Sequence, residues 1–378
     1  MRIAVAAESF LPQINGVAGS VRHLVDHLVE RGHEALVIAP GPGEQTYGRT
    51  PVVRVRSLPL PMYPDFPLGL PDASIRRAVE AFAPDVMHLA APLVLGMSSL
   101  RAAEKCGIPT VAVYQTDIVG FAQQYGFVGV DRALWAWMRR MHTRAGRTLA
   151  PSRAALSQLA EIRVPRLFCW PRGVDLQRFH PGRRDNELRR RLAPRGEILI
   201  GYVGRVATEK RVHLLREVAD LPGTRLVVVG AGPALDEVRD VAPQAAFLGM
   251  LHGNQLAEAV ASLDLFVHTG AHETFCQAAQ EALASGVPVV APAAGGLLDL
   301  VEPGRTGLLY PAQETDEAMS VFRSAVLQLA GDTALREAMA AAARPSVQAR
   351  SWDRILDELV DVHYQAVLGQ PATPTLAA

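Results

Sequence analysis

The chain of 378 residues has little cysteine, almost no lysine, no net charge and no long apolar run. Its three cysteines, Cys106, Cys169 and Cys276, share no metal-ligand spacing and leave one unpaired, which excludes a disulfide framework and fits a reducing compartment. With 38 basic and 38 acidic residues, it is not a nucleic-acid binder that works through bulk positive charge. The longest uncharged apolar stretch, Leu89–Met97, falls well short of the ~20 residues a membrane span needs. The apolar run at the start is too short for a signal peptide. The expectation is a cytoplasmic protein whose membrane contact, if any, is peripheral. No repeat of 20–50 residues occurs, so solenoids are excluded. Neither the turn around Gly16 nor Gly230-Ala231-Gly232 completes a G-x-G-x-x-G pattern, which disfavours a nicotinamide enzyme. Lysine is confined to Lys105 and Lys210 among 38 basic residues, so a lysine kept against that arginine bias invites a functional reading.

What is present is a regular α/β pattern. Apolar residues make up 49%, enough for globular domains, and the length suits two of them. Short β-branched runs such as Ile3–Ala7, Ala35–Ala39, Val86–Leu89 and Thr110–Tyr114 alternate with amphipathic helical stretches. A second such set starts at Ile198–Val203. The reading is two Rossmann-like parallel-sheet domains facing across a cleft. Residues 1–170 form the first domain, 171–196 a hinge and 197–350 the second, with a last helix over 352–368. Residues 1–196 carry 26 basic and 16 acidic groups and the rest the opposite excess, so the halves read +10 and −10. That asymmetry fits either different partners for the two domains or chance on solvated surface.

Three segments carry chemistry. Arg205 follows a strand end and Lys210 lies five residues on, before a helix. Two fixed cations at the mouth of an α/β fold suit a diphosphate leaving group, which gains charge as its bond breaks; an ordinary surface loop is the alternative. Glu273 and Glu281 stand eight residues apart across a strand–helix junction. On one helix that is ~12 Å of rise, beyond the ~5–9.5 Å of paired glycosidase carboxylates, so two separate tasks fit better. Glu273 can reach a sugar ring and Glu281 a ribose diol, while the amides of Phe275, Cys276 and Gln277 sit in a helix's first turn, where they donate to phosphate or sugar oxygens. The bland reading is a helix N-terminal charge and a solvated glutamate. Near the start, Gly16 lacks a Cβ and lets a backbone amide approach a phosphate.

Gly16-Val17, Gly173-Val174-Asp175 with Phe179 and Pro181, Arg205 with Lys210, and Glu273 with Glu281 occur in this order. Together they resemble the retaining GT-B glycosyltransferases of the large family that includes sucrose and glycolipid synthases. The resemblance spans essentially the whole chain. It implies an N-terminal acceptor domain, a C-terminal nucleotide-sugar domain and a C-terminal helix that crosses back to the first domain. It also implies no cofactor and no metal, in keeping with the lack of an Asp-x-Asp motif. Arg205 and Lys210 would hold the diphosphate, Glu273 and the amides of Phe275, Cys276 and Gln277 the transferred sugar, Glu281 the ribose and Gly16 the distal phosphate. The catalytic set implied is Arg205, Lys210 and Glu273, with the departing phosphate oxygen taking the acceptor proton on the same face. Family members often carry His after the strand Thr110–Tyr114, where this chain has Gln115, which hydrogen-bonds but takes no charge. Asp117 serves the acceptor or caps a turn.

Ala6, Glu8-Ser9-Phe10-Leu11-Pro12, Val113-Tyr114-Gln115-Thr116-Asp117 and His272–Gln277 are most similar to actinobacterial GDP-mannose-dependent alpha-mannosyltransferases that build glycolipids. The function so implied is transfer of mannose from GDP-mannose to a lipid or glycolipid at the inner face of the plasma membrane. A UDP-sugar donor is the alternative, and a nucleotide-sugar epimerase or a non-catalytic sugar-binding module stands behind it. Two segments bear on the acceptor. Ser57–Pro71 reads as an apolar, proline-studded loop. The helix over Arg132–Arg147 mixes cations with Trp135 and Trp137, as an interfacial helix on anionic lipid would. Its stripe of Leu134, Met138, Met141 and Ala145 equally fits a core face.

Overall fold

The computed structural model describes residues 1–369 apart from 14, 61–62, 121–128 and 130. It divides into two compact units, Met1–Arg172 with the residues from Trp352 onward, and Gly173–Ser351.

The first unit is built on eight strands: β1 (Arg2–Ala7), β2 (Glu34–Pro40), β3 (Thr46–Tyr47), β4 (Thr50–Val55), β7 (Val86–Ala90), β8 (Thr110–Val113), β9 (Arg147–Ala150) and β10 (Leu167–Cys169), with a separate hairpin of β5 (Ser57–Leu60) and β6 (Tyr63–Gly69) between them. Their order is β10-β9-β8-β7-β1-β2-β4-β3, parallel except for the β3–β4 pair. β1 and β2 are near-continuous apolar runs because parallel strands covered on both faces have no side for polar residues. β1 lies between β2 and β7, so the order reverses at its carboxyl end, where α/β sheets gather ligands. There the buried Glu8 accepts from the amides of Leu93 (2.6 Å) and Gly96 (2.9 Å), at the start of the helix Val94–Lys105.

The C-terminal helical segment belongs to this unit, as the resemblance implied. Trp352, Ile355, Leu356, Leu359, Val360 and Tyr364 complete the same core as Ile3, Val5 and Val37. Trp170 Nε1 donates to the Ile355 carbonyl at 2.9 Å, and the Tyr364 hydroxyl lies 3.0 Å from His88 Nδ1.

One expectation changes here, and one open alternative is decided. Ser57–Pro71 is not a loop: β5 and β6 pair antiparallel, with Leu58 opposite Leu68 and Pro59 opposite Pro67. Prolines hide the alternation that would have marked the strands, and a two-stranded ribbon with free edges tolerates them. Pro61 and Met62 lie outside the described residues. In the helix Asp131–Arg144, Met138, Met141 and His142 are buried and Trp135 and Trp137 pack partly against the core, so the apolar stripe is spent on the fold. Arg132, Arg139 and Arg140 remain exposed.

The second unit has six parallel strands: β11 (Ile198–Val203), β12 (Thr224–Val229), β13 (Ala246–Gly249), β14 (Leu265–Val267), β15 (Val289–Pro292) and β16 (Gly307–Tyr310). Their order is β13-β12-β11-β14-β15-β16, which reverses at β11. Residues 173–196 pack within this unit. Asp264 binds Arg184 (2.8 Å), Arg189 (2.9 Å) and the Leu199 amide (2.9 Å), and so ties that arginine-rich segment to β11 and β14. The glycines that fail the dinucleotide pattern have another use. A Cβ on Gly232 would lie 2.1 Å from the Val206 carbonyl oxygen, so the turn after β12 presses on the turn after β11.

No described helix is long and apolar enough to cross a membrane.

Candidate functional site

The site of the second unit is built on the turns that follow β11 and β14. After β11, Tyr202 is fully buried and its hydroxyl donates to the Arg205 carbonyl at 2.8 Å, which fixes where Arg205 leaves the sheet. The Arg205 guanidinium meets Glu209 at 3.3 Å. Lys210 ends the short 3₁₀ turn Thr208–Lys210, and Arg211 follows in a left-handed conformation at φ 52°, held by Glu314 and the Ala312 carbonyl. That bend explains why Val212–Val218 continues as 3₁₀ turns where a regular helix was expected. The Lys210 carbonyl accepts from Thr269 Oγ1 at 2.6 Å, which moors the lysine to the turn after β14.

Lys210 Nζ lies 2.6 Å from Glu273 Oε1, and His268 Nε2 lies 2.9 Å from the same oxygen. Glu273 is therefore no solvated helix-end carboxylate but the centre of a cluster. Burial would raise its pKa, yet Lys210 and His268 outweigh burial and hold the carboxyl well below the usual range. For His268, burial favours the neutral ring, but Cys276 and Glu273 reverse this and lift it to about 9. Lys210 follows the same logic: burial pulls it down and Glu273 more than restores it.

The helix begins at Gln277 and runs to Ala284, so of the three amides expected in its first turn those of Phe275 and Cys276 lie just before it. Cys276 is its N-cap, at φ 78°, a conformation that costs a side-chain-bearing residue about 1 kcal/mol or more. The backbone therefore turns sharply through Phe275 and Cys276 before the helix begins. Both side chains are buried, at 2% and 5% exposure, so a sugar or phosphate would meet their backbone rather than their side chains. Among the described residues, the N–H groups of Phe275, Cys276 and Gln277 have no protein acceptor, as expected of donors at a helix start. The Gln277 side-chain amide donates to the Gly173 carbonyl at 3.0 Å. Glu281 stands one turn into the helix, half-buried.

Two supports were not visible in the motifs. His268 directly follows the apolar run of β14, and that strand-end position is the signal that could have found it. The Gly296 amide donates to the Glu273 carbonyl at 2.7 Å, and a Cβ on Gly295 would lie 2.2 Å from that carbonyl oxygen. The Gly295-Gly296 turn thus holds the Glu273 loop from behind.

Gly16, Gln115 and Asp117 lie in the first unit. Gly16 opens the helix Gly16–Glu30, where the Asn15 side chain accepts from Val17 and Ala18. The Gly16 carbonyl accepts from Arg172 at 2.5 Å. Gln115 is buried at the carboxyl end of β8. Asp117 Oδ1 accepts from the Gly120 amide at 2.8 Å, so turn capping is a task this carboxylate performs.

Family models match along the chain: glycosyltransferase family 4 over residues 14–178 and glycosyl transferases group 1 over residues 183–345. A GDP-mannose-dependent alpha-mannosyltransferase of Mycobacterium tuberculosis is 49% identical over 99% of this chain and 98% of its own. The chain belongs to the GT-B glycosyltransferases. A GDP-mannose-dependent alpha-(1-6)-phosphatidylinositol dimannoside mannosyltransferase of the same species is 29% identical over 80% of this chain and 82% of its own. Among solved structures, sucrose-phosphate synthase of Thermosynechococcus elongatus superposes with a TM-score of 0.79, at 19% identity, over 98% of this chain and 100% of that one. That last likeness speaks to the fold alone. The motif-based likeness to GDP-mannose-dependent mannosyltransferases is thereby borne out, and the glycosyltransferase is an enzyme of two parallel-sheet units.

Proposed function

We propose that this glycosyltransferase moves mannose from GDP-mannose to a lipid or glycolipid acceptor at the cytoplasmic face of a membrane. We further propose that the anomeric configuration is retained and that no metal is needed. The observation that carries the donor is the 49% identity over nearly all of both chains to a relative named for GDP-mannose. The relative named for phosphatidylinositol dimannoside supports a lipid-borne acceptor.

The cluster gives this reading a physical basis. Departure of a nucleoside diphosphate adds negative charge to a phosphate oxygen, and preplaced cations stabilise that charge without reorganising. Arg205 and Lys210 are assigned this task. Lys210 is held by its own backbone and by Glu273, so its ammonium is positioned before substrate arrives. Glu273, with the amides of Phe275, Cys276 and Gln277, is assigned the sugar, and Glu281 the ribose. Gln115 and Asp117 are assigned to the acceptor side. The departing phosphate oxygen takes the acceptor's proton on the face it leaves, so no protein nucleophile is required.

Calorimetric titration with GDP, UDP, ADP and NAD, without metal, tests the donor assignment. Tightest binding of GDP is expected, followed by mannose transfer from GDP-mannose to membrane lipid detected by mass spectrometry. Preference for UDP would overturn the mannose assignment and keep the transferase. Binding of NAD alone would overturn the donor site.

A further inference from the structure

The Glu273 cluster contains more than sugar chemistry asks for. An imidazole nitrogen of His268, the Cys276 Sγ and a carboxylate oxygen of Glu273 all lie within 4.8 Å of one another. Nitrogen, sulfur and oxygen donors in one place are a typical ligand set for zinc, with bonds of about 2.0–2.3 Å. Such bonds place tetrahedral ligands about 3.5 Å apart, so the three donors need close by only about an ångström. The set is also selective: thiolate and imidazole favour zinc, cadmium and cobalt over magnesium and manganese, which take oxygen ligands.

The scaffold holds these donors in advance of any ion. His268 is placed by the Tyr310 hydroxyl, which donates to its carbonyl at 3.0 Å. Glu273 is backed by the Gly295-Gly296 turn, and Cys276 is fixed in its left-handed cap. A second observation points to a ligand. The His268 side chain is only 4% exposed, yet among the described residues its Nδ1 has no hydrogen-bond partner. A buried imidazole nitrogen left without a partner disfavours the fold, and coordination through that nitrogen would relieve it.

We propose that His268, Glu273 and Cys276 form a binding site for a soft divalent cation of the zinc type, and that the bound ion switches the transferase off. On binding, the Cys276 S–H bond and a His268 N–H bond break, sulfur–metal and nitrogen–metal bonds form, and both protons pass to solvent. The ion takes Glu273 from Lys210, because Lys210 Nζ now occupies that carboxylate at 2.6 Å. The lysine loses the partner that positions it, and the loop that carries the Phe275 and Cys276 amides is held by the metal instead. Binding of the ion stands apart from the transferase reading, whereas its inhibitory effect rests on that reading.

The test is titration of Co²⁺ into the whole chain with the two exposed thiols removed as Cys106→Ser and Cys169→Ser. The expected result is a thiolate-to-cobalt charge-transfer band that saturates at one ion per chain and is displaced by Zn²⁺. Mg²⁺ should not displace it. Cys276→Ser should abolish the band, with folding verified by circular dichroism. Independently, His268→Gln keeps the thiol and should weaken cobalt binding at least tenfold. Absence of the band, or its survival in Cys276→Ser, overturns the site. Zinc should also reduce mannosyl transfer reversibly, with chelator restoring it. A band with transfer untouched by zinc keeps the site and overturns the switch.

Discussion

At the scale of single residues, Lys210 is the sharpest test of the donor site. Its ammonium is preplaced, so its loss removes stabilisation that matters most as the leaving group gains charge. Lys210→Ala is expected to lower kcat/KM by roughly 10²–10³, about 2.7–4 kcal/mol, by analogy with removal of one oxyanion donor. Full turnover in steady-state assays of that variant would sink the assigned role. Glu8 makes a different test, on stability. It is 1% exposed, Oε1 takes two amides and Oε2 is buried with no partner among the described residues. Burial, partly offset by those amides, raises its pKa from 4.5 to about 7. Between those two values the folded chain keeps a proton that the unfolded chain releases, so the contribution is full below pH 4.5 and is lost as pH rises through about 7. Relative to Glu8→Gln, the native chain should therefore gain about 2–3 kcal/mol when pH falls from about 8 to about 5. Urea midpoints of the two proteins at both pH values measure this. A constant difference between them would refute it.

At the scale of elements, what was legible and what was not divide along physical lines. Runs such as Ile3–Ala7 and Ile198–Val203 announce buried parallel strands because nothing polar interrupts them, and Arg205 and Lys210 were found because strand ends are where such sheets do chemistry. Hidden features depend on contacts far apart in sequence. The sequence neighbours of His268 do not reveal that Glu273 Oε1 lies 2.9 Å away. Gly295 looks like an ordinary loop glycine until its place behind the Glu273 carbonyl is seen. The β5–β6 hairpin was masked by its prolines, and the start of the helix after Cys276 by a left-handed residue that is not glycine. Gly295 also supplies this scale's prediction. Gly295→Ala must push back the Glu273 loop, because its Cβ would lie 2.2 Å from that backbone oxygen, and its φ of 56° already disfavours a side chain. A stability loss of about 1–3 kcal/mol is expected from overpacking, with at least a tenfold fall in turnover because Glu273 shifts away from Lys210. Thermal unfolding and kinetics on the same preparation check both, and a stable variant of native activity would show that the turn does not position Glu273.

At the scale of the whole molecule, the charge asymmetry shrinks once the chain is divided as it folds. The first unit holds 20 basic and 17 acidic residues and the second 18 and 21, so the +10 and −10 of the halves become +3 and −3. Much of the apparent basic half is the arginine-rich stretch 178–195, which belongs to the second unit and is partly neutralised by Asp264 and Asp175. A proposed contact with anionic lipid must therefore be local. The helix Asp131–Arg144 spends its apolar stripe on the core and presents Arg132, Arg139 and Arg140 outward, so its contribution would be electrostatic and not insertion. At about 1 kcal/mol per arginine near an anionic surface, replacing all three with serine should cost about 3 kcal/mol, roughly 100-fold in partitioning. Salt should do the same to the native chain, because screening at about 1 M confines charge interactions to about 3 Å. Co-sedimentation with phosphatidylglycerol vesicles at low and high salt, for both proteins, decides it. Binding that survives high salt and the triple replacement would move the contact to an apolar segment, and the hairpin that exposes Leu58 would be the next one to alter. Failure of the native chain to bind at low salt would remove the membrane from the proposed reaction and require an acceptor delivered in solution.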